Sequence, residues 1–187
     1  MKLLASSLFL AAAFMTQSLS AATIGDLSFA GTGCTNKDNQ LKVISESDSR
    51  YMIPLNLYVK KEEGASLERQ ACTVSLPIVL AKNEKLVIQN VSQKVNMRVY
   101  PGVTAKTQLE VFLAGHSTKV ITAQTKAIDS FINERHELAQ QGTLIESQCG
   151  EQVIVRANTS GFALGKEKAR IYHENLKLDL KIEKCSL

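Results

Sequence analysis

Apolar and polar residues alternate with a period of two along most of the chain, as in strands with one face buried. The clearest case is the final stretch. There Leu176, Leu178, Leu180 and Ile182 alternate with Lys177, Asp179, Lys181 and Glu183 and run into Cys185. Between Leu67 and Leu80, Cys72, Val74, Leu76 and Ile78 share one parity while Thr73, Ser75 and Pro77 take the other. Pro77 has no N–H for a ladder, so this strand is expected at an edge or bulged there. The same pattern predicts strands over 23–29, 41–44, 55–59, 86–91, 94–100, 104–113, 119–126, 152–158 and 169–184. Turns are expected at Pro101-Gly102, at Gly115-His116-Ser117 and across Ser160 to Gly165.

One segment breaks the rule. Ile128, Phe131, Ile132 and Leu138 are spaced closer to 3.6 than to 2, which predicts one short helix over 128–141, with strand as the alternative for part of it. Eight to ten short strands and at most that one helix describe an all-β antiparallel sandwich or jelly roll. A membrane barrel would need apolar outer faces and aromatic girdles, and the outward positions here are charged.

The first residues set the compartment. Lys2 precedes an apolar run from Leu3 to Phe14, followed by small residues at Ser20, Ala21 and Ala22, the pattern of a signal peptide over residues 1–22, cleaved after Ala21 or Ala22. No later run reaches the ~20 apolar residues of a membrane helix. Residues 23–187 are then expected to form one secreted or periplasmic domain that does not span the membrane.

All four cysteines, Cys34, Cys72, Cys149 and Cys185, lie behind that signal, and an even count in an exported chain reads as two disulfides. The spacing favours Cys34 with Cys72 and Cys149 with Cys185. By parity, Cys72 shares a face with Val74 and Leu76, and Cys149 with Val153 and Val155, so both bonds are expected buried as structural staples. The parity of Cys185 is opposite to that of Leu176 through Ile182, which calls for a bulge or for the strand to end at Lys184. A metal site is disfavoured, since there is no Cys-x-x-Cys and no histidine near a cysteine.

The formal net charge is +4, with lysines and acids interspersed as on a solvated surface, and there is no Trp. A nucleic-acid partner, which would want a clustered basic stripe with stacking aromatics, is not expected.

Gly31-Thr32-Gly33-Cys34, Arg69-x-x-Cys72 opening a Val/Leu strand, Cys149-Gly150, and a lysine-rich alternating strand ending in Cys185 together carry a family resemblance. The chain resembles the small secreted proteins of fungi and bacteria grouped as domain of unknown function 4360, from about Leu27 to Cys185. The resemblance implies a secreted, disulfide-bonded β-domain and brings no activity with it. This chain is richer in lysine and poorer in serine and aromatics in its middle third.

Catalytic constellations are weak. His136-Glu137-Leu138-Ala139-Gln140 lacks the second histidine of a zinc-protease helix, and Gly161 to Lys166 is one residue short of a phosphate loop. His116, His136 and His173 would have to meet in space to matter, and no Gly-x-Ser-x-Gly elbow exists. Asn90-Val91-Ser92 and Asn158-Thr159-Ser160 match glycosylation sequons, which count only in a eukaryotic secretory pathway. The expected role is therefore a non-catalytic binding or structural component of the envelope or extracellular space, without cofactor or metal, whose ligand and oligomeric state the sequence leaves open. The alternatives are a secreted hydrolase built from scattered His and carboxylate residues, and a surface-fibre subunit. Replacing Cys149 or Cys185 with Ser is expected to cost on the order of 2 to 5 kcal/mol, read by thermal melting. Non-reducing peptide mapping checks the pairing.

Overall fold

The computed structural model describes residues 22–34, 44–47, 50–53, 57–113 and 115–185, with side chains from Arg50 onward and in 22–34. In chain order the strands are β1 (Thr23–Ile24), β2 (Ser28–Ala30), β3 (Ile44–Ser47), β4 (Arg50–Ile53), β5 (Tyr58–Lys61), β6 (Leu67–Val79) and β7 (Glu84–Val99). There follow β8 (Val103–Leu113), β9 (His116–Ser117), β10 (Ile121–Ala127), β11 (Ile132–Gln140), β12 (Ile145–Glu146), β13 (Gln152–Leu164) and β14 (Ala169–Lys184). They form two antiparallel sheets. The first runs β1-β6-β13-β8-β10, with β2 on β6 and β9 on β8; the second runs β11-β7-β14-β4-β3, with β12 on β7 and β5 on β14.

Most long strands that follow one another in sequence do not pair with each other. The chain leaves β6 in the first sheet for β7 in the second, returns to β8, crosses again from β10 to β11, and again from β13 to β14. The turns at 80–83, 100–102, 128–131 and 165–168 are therefore arches over the core rather than hairpins. Alternation supplies the core between the sheets: Val103, Ala105, Leu109, Val111 and Leu113 of β8 face Val95, Met97, Ile171 and Leu178 of the second sheet, all buried.

The helix expected over 128–141 is not there. Ile132–Gln140 is strand β11, paired with Val91–Val99 of β7 at every position. A lone helix of this length is marginal, whereas the open edge of β7 offers a full ladder. Its inward side chains are Ile132, His136 and Leu138, while Ile128 and Phe131 lie exposed in the preceding turn. The stretches 86–91 and 94–100 join into one strand, β7. Residues 160–164, expected to be a connection, continue β13, paired on both sides. Pro77 sits where β1 and β2 leave the outer edge of β6 interrupted, its carbonyl accepting from Gly25 N at 2.8 Å.

Two bulges shift the parity of the central pair β7–β14. Between Asp179 and Leu180 the register skips Gln89, and between His173 and Leu176 both Glu174 and Asn175 oppose Lys94. Ala169, Ile171 and His173 therefore point inward at odd positions, and Leu176, Leu178 and Leu180 at even ones.

Both disulfides are formed, Cys34–Cys72 and Cys149–Cys185. Gly31, at φ 127°, lets the chain turn against Ala71 of β6, where Gly33 N donates to Ala71 O at 2.9 Å and delivers Cys34 to the buried Cys72. The second bond corrects the parity argument. Cys149 precedes β13 in an exposed turn, and Cys185, just past the end of β14, is half-buried, so this staple closes the sandwich end from outside rather than from the core.

The core holds one polar cluster. His173 of β14 is fully buried, with Nδ1 3.0 Å from Thr159 Oγ1 and 3.3 Å from Gln93 Oε1, and Nε2 3.3 Å from Thr107 Oγ1. Thr159 donates to Gln93 Oε1 at 2.9 Å, and Gln93 Nε2 donates to Glu174 O at 3.2 Å. The four side chains come from β14, β13, β7 and β8 and bridge the two sheets, satisfying polar groups that would otherwise be costly to bury. Gly161 of β13 leaves the space the imidazole fills, because a Cβ there would lie 2.9 Å from Val59 Cγ2 and 3.2 Å from His173 Nε2.

Two outcomes follow. Gly161→Ala should destabilise the protein by about 1 to 3 kcal/mol in urea melts through overpacking, and unchanged stability would show that the cluster gives way freely. Burial pushes the His173 pKa from 6.5 down to about 3. The unfolded chain thus takes up a proton near pH 6.5 that the folded chain refuses. Stability falls as pH drops through that window, by about 1.4 kcal/mol per unit or about 2 kcal/mol at pH 5. Melts of His173→Gln between pH 6.5 and 5, where the carboxylates contribute equally to both proteins, should show a flatter slope than wild type. A wild-type slope in that variant would sink the assignment.

Candidate functional site on the outer face of the second sheet

The outward positions of β4, β14, β7 and β11 lie side by side in rows set by the register. Arg50, Asp179 and Asn90 form one row; Met52, Lys177, Ser92 and Ala139 the next; then the Glu174–Asn175 bulge, Lys94 and Glu137. Together with Gln141 they line an open groove of about 650 Å³.

One end of the groove is locked. Arg50 donates to both oxygens of Asp179, Nε to Oδ1 at 2.7 Å and a terminal nitrogen to Oδ2 at 3.2 Å, while Asn90 Nδ2 donates to Oδ2 at 2.8 Å. The Arg50 hydrogen bond, with a smaller contribution from Asn90 and against the desolvation of the site, holds the Asp179 carboxyl below its usual range. In the middle, Asn175 Nδ2 reaches Met52 Sδ at 3.3 Å. On the far side Glu174 pairs with Arg135 at 3.4 Å. Ser92, Lys94 and Glu137 make no side-chain hydrogen bond or ion pair among the described residues, although Lys94 and Glu137 are register partners. The groove therefore combines Arg50, Lys94 and Lys177 with Glu137, Glu174 and Asp179, a balanced set of donors and acceptors with three groups uncommitted.

A smaller hollow of about 330 Å³ lies on the outer face of the first sheet, where Thr73 Oγ1 donates to Asn158 Oδ1 at 2.9 Å beside Glu110.

The three histidines do not meet. His116 is exposed on β9, His173 is in the core, and His136 lies at the seam where β10 approaches β11. At that seam Thr125 Oγ1 is 2.6 Å from Glu134 Oε2 and 2.8 Å from His136 Nε2, and Glu134 Oε2 is 3.3 Å from the same ring nitrogen. A nucleophile–base–acid relay uses the two ring nitrogens for different partners. Here both partners crowd one nitrogen, and the trio ties together the edges of the two sheets. Among the described residues no group of three His, Cys, Asp or Glu side chains could hold a metal ion.

The sequence singled out none of the groove residues as a site. It marked Lys177 and Asp179 as outward by parity, named Asn90 and Ser92 only in a sequon and Glu137 and Ala139 only in an incomplete zinc-protease motif, and it carried no signal for which strands would lie beside them.

No curated protein matches the chain. Among solved structures, similarity extends to the mannan-recognising carbohydrate-binding module TmCBM27 at 11% identity, over 87% of this chain and 99% of that one, with a TM-score of 0.40. It also extends to TmCBM61 in complex with β-1,4-galactotriose, at 11% identity over 84% and 88% of the two chains with a TM-score of 0.30. A cyclase from Fischerella sp. TAU is similar at 11% identity over 92% and 94%, with a TM-score of 0.24. Superpositions this loose transfer no ligand and no activity. The family model is decisive where they are not: it matches residues 20–184, and the chain belongs to the domain of unknown function family DUF4360.

Proposed function

We propose that the chain is an exported, non-catalytic binding domain, residues 23–187, that takes an extended, hydroxyl-rich ligand such as a polysaccharide in the groove of the second sheet. The observation that carries this reading is the groove itself, open along four strands, nearly balanced in charge, with Ser92, Lys94 and Glu137 free to bond a ligand. Alternating donors and acceptors suit hydroxyls, which both donate and accept. The preorganised Arg50–Asp179–Asn90 end gives the ligand a rigid floor and lowers the entropy lost on binding. Export is supported by the charged-then-apolar start of the sequence and by the two disulfides, which persist in oxidising compartments. A hydrolase would need a nucleophile, base and acid in one concavity, and the seam trio does not supply that geometry.

Titration calorimetry of the mature protein against a panel of soluble polysaccharides tests the reading. At least one should bind, and Lys94→Ala and Glu137→Ala should each weaken it about tenfold, the loss of one charge-assisted hydrogen bond. Binding that ignores both variants, or none across the panel, would falsify the assignment.

A further inference from the structure

The same face of the second sheet continues past the groove toward the arches, and its composition changes there. Beyond the bulge the next outward row is Tyr58, Tyr172, Asn96 and Arg135; the one after it is Lys60, Arg170, Arg98 and Asn133. The row at the turns brings Lys168 beside Tyr100, whose N–H donates to Lys168 O at 3.2 Å, and Tyr100 packs on Phe131 with ring centroids 5.1 Å apart. Three cations, Lys60, Arg170 and Arg98, thus stand directly opposite one another on neighbouring strands, within about 10 Å given the usual inter-strand spacing. Half-exposed aromatics flank them: Tyr58 at 38% and Tyr172 at 44% on one side, Tyr100 at 43% and Phe131 at 49% on the other.

Like charges facing each other across strands destabilise a sheet. Lys60 is offset by Glu62, Lys168 by Glu63 and Arg135 by Glu174. Among the described residues Arg98 and Arg170 have no carboxylate within ion-pair distance, Glu62 acting on Arg170 only through its field, so two guanidinium forks keep their N–H groups open with exposed rings on both sides. Guanidinium forks bind planar anions bidentately, and rings beside them offer faces to a sugar or a base.

We infer that the row Lys60–Arg170–Arg98, with Tyr58 and Tyr172 beside it, is an anion-recognition subsite for an acidic polysaccharide that also lies in the neighbouring groove. The inference rests on the reading that the outer face of the second sheet is the ligand surface. The groove favours a glycan over a nucleic acid. With Arg50, Lys94 and Lys177 matched by Glu137, Glu174 and Asp179 it offers no net positive track for a phosphate carried on every residue, whereas a polymer with an anion on alternate sugars sets its carboxylate or sulfate on the arginines and its hydroxyls in the balanced groove.

Affinity electrophoresis of the mature protein distinguishes the cases, using hyaluronate for carboxylate, κ-carrageenan for sulfate, neutral dextran, and the oligonucleotide dT20. At low ionic strength at least one acidic polysaccharide should bind tenfold or more tightly than dextran and than dT20. Arg98→Gln with Arg170→Gln should remove most of that preference and flatten its salt dependence, and Tyr172→Ala should weaken binding of the same polymer several-fold. The double variant should melt no lower than wild type, because it relieves a like-charge row. Equal affinity for dextran, tighter binding to dT20, or an unaffected double variant overturns the inference. If dextran binds and Lys94→Ala abolishes it while the double variant changes nothing, the groove reading stands and the anion subsite falls. If an acidic polymer depends on the two arginines but not on Lys94 or Glu137, the subsite stands and the groove reading falls. Failure of every polymer to bind removes both.

Discussion

The pairing of β7 with β14, with a bulge on each strand, is the constraint on which the rest depends. These strands form the middle of the second sheet, and a one-residue slip in either would turn its apolar set to solvent. The bulge at Glu174–Asn175 lets one strand bury odd positions before it and even positions after it. It turns His173 inward, sets two polar residues opposite Lys94 on the outside, and so shapes core and groove in the same few residues. The second bulge, at Gln89, restores agreement between β7 and the apolar side chains Leu180, Leu86 and Ile88 near the end closed by Cys149–Cys185.

Period-two alternation made the strands legible because each of the long ones has one buried face. For β8 burial alternates without a break from Val103 to Leu113, with Thr107 the one polar residue on the inward side, and the expected strand over 104–113 differs from the observed one by a single residue. The pattern misled where residues outside a strand shared its spacing. Ile128 and Phe131 belong to an arch, and counting them with Ile132 and Leu138 produced a helical period that no helix occupies. Cys149 failed for a related reason, since parity was extended through Gly150 and Glu151, which are not in the strand. Gly161 read as a loop glycine, yet it is the mid-strand residue whose missing side chain makes room for an imidazole, a requirement set by β14 and invisible from β13 alone.

The candidate site was less legible than the fold, and the topology explains why. Arches carry the chain from one sheet to the other, so the neighbours of an outward residue lie far away in sequence. Lys60 and Arg170 lie among mixed charge along the chain and Arg98 among uncharged residues, so none reads as part of a cluster, but register sets them in one row. The clustered basic stripe with aromatics that the linear sequence lacks is assembled by the second sheet from three strands. Parity identifies which residues face outward, and only register identifies which of them converge.

The same topology joins the buried cluster to the outer face. Gln93 stands at the bulge with its side chain in the core, where its Oε1 accepts from Thr159, and its Nε2 donates to the carbonyl of Glu174, a residue that lines the groove. The groove wall is therefore held from inside by a hydrogen bond whose donor is in turn fixed by His173 and the two threonines. A buried polar cluster is an expensive way to join two sheets when apolar packing would serve. It gives what apolar packing does not, a directional hold on one backbone carbonyl, and a bulge is the place where a ladder leaves such a carbonyl without a strand partner. The neutrality of His173 matters for the same reason: a proton there would place a charge between the sheets, in the middle of this cluster. Core and surface thus share one chain of hydrogen bonds, running from Thr107 on the first sheet through His173, Thr159 and Gln93 to the floor of the groove on the second.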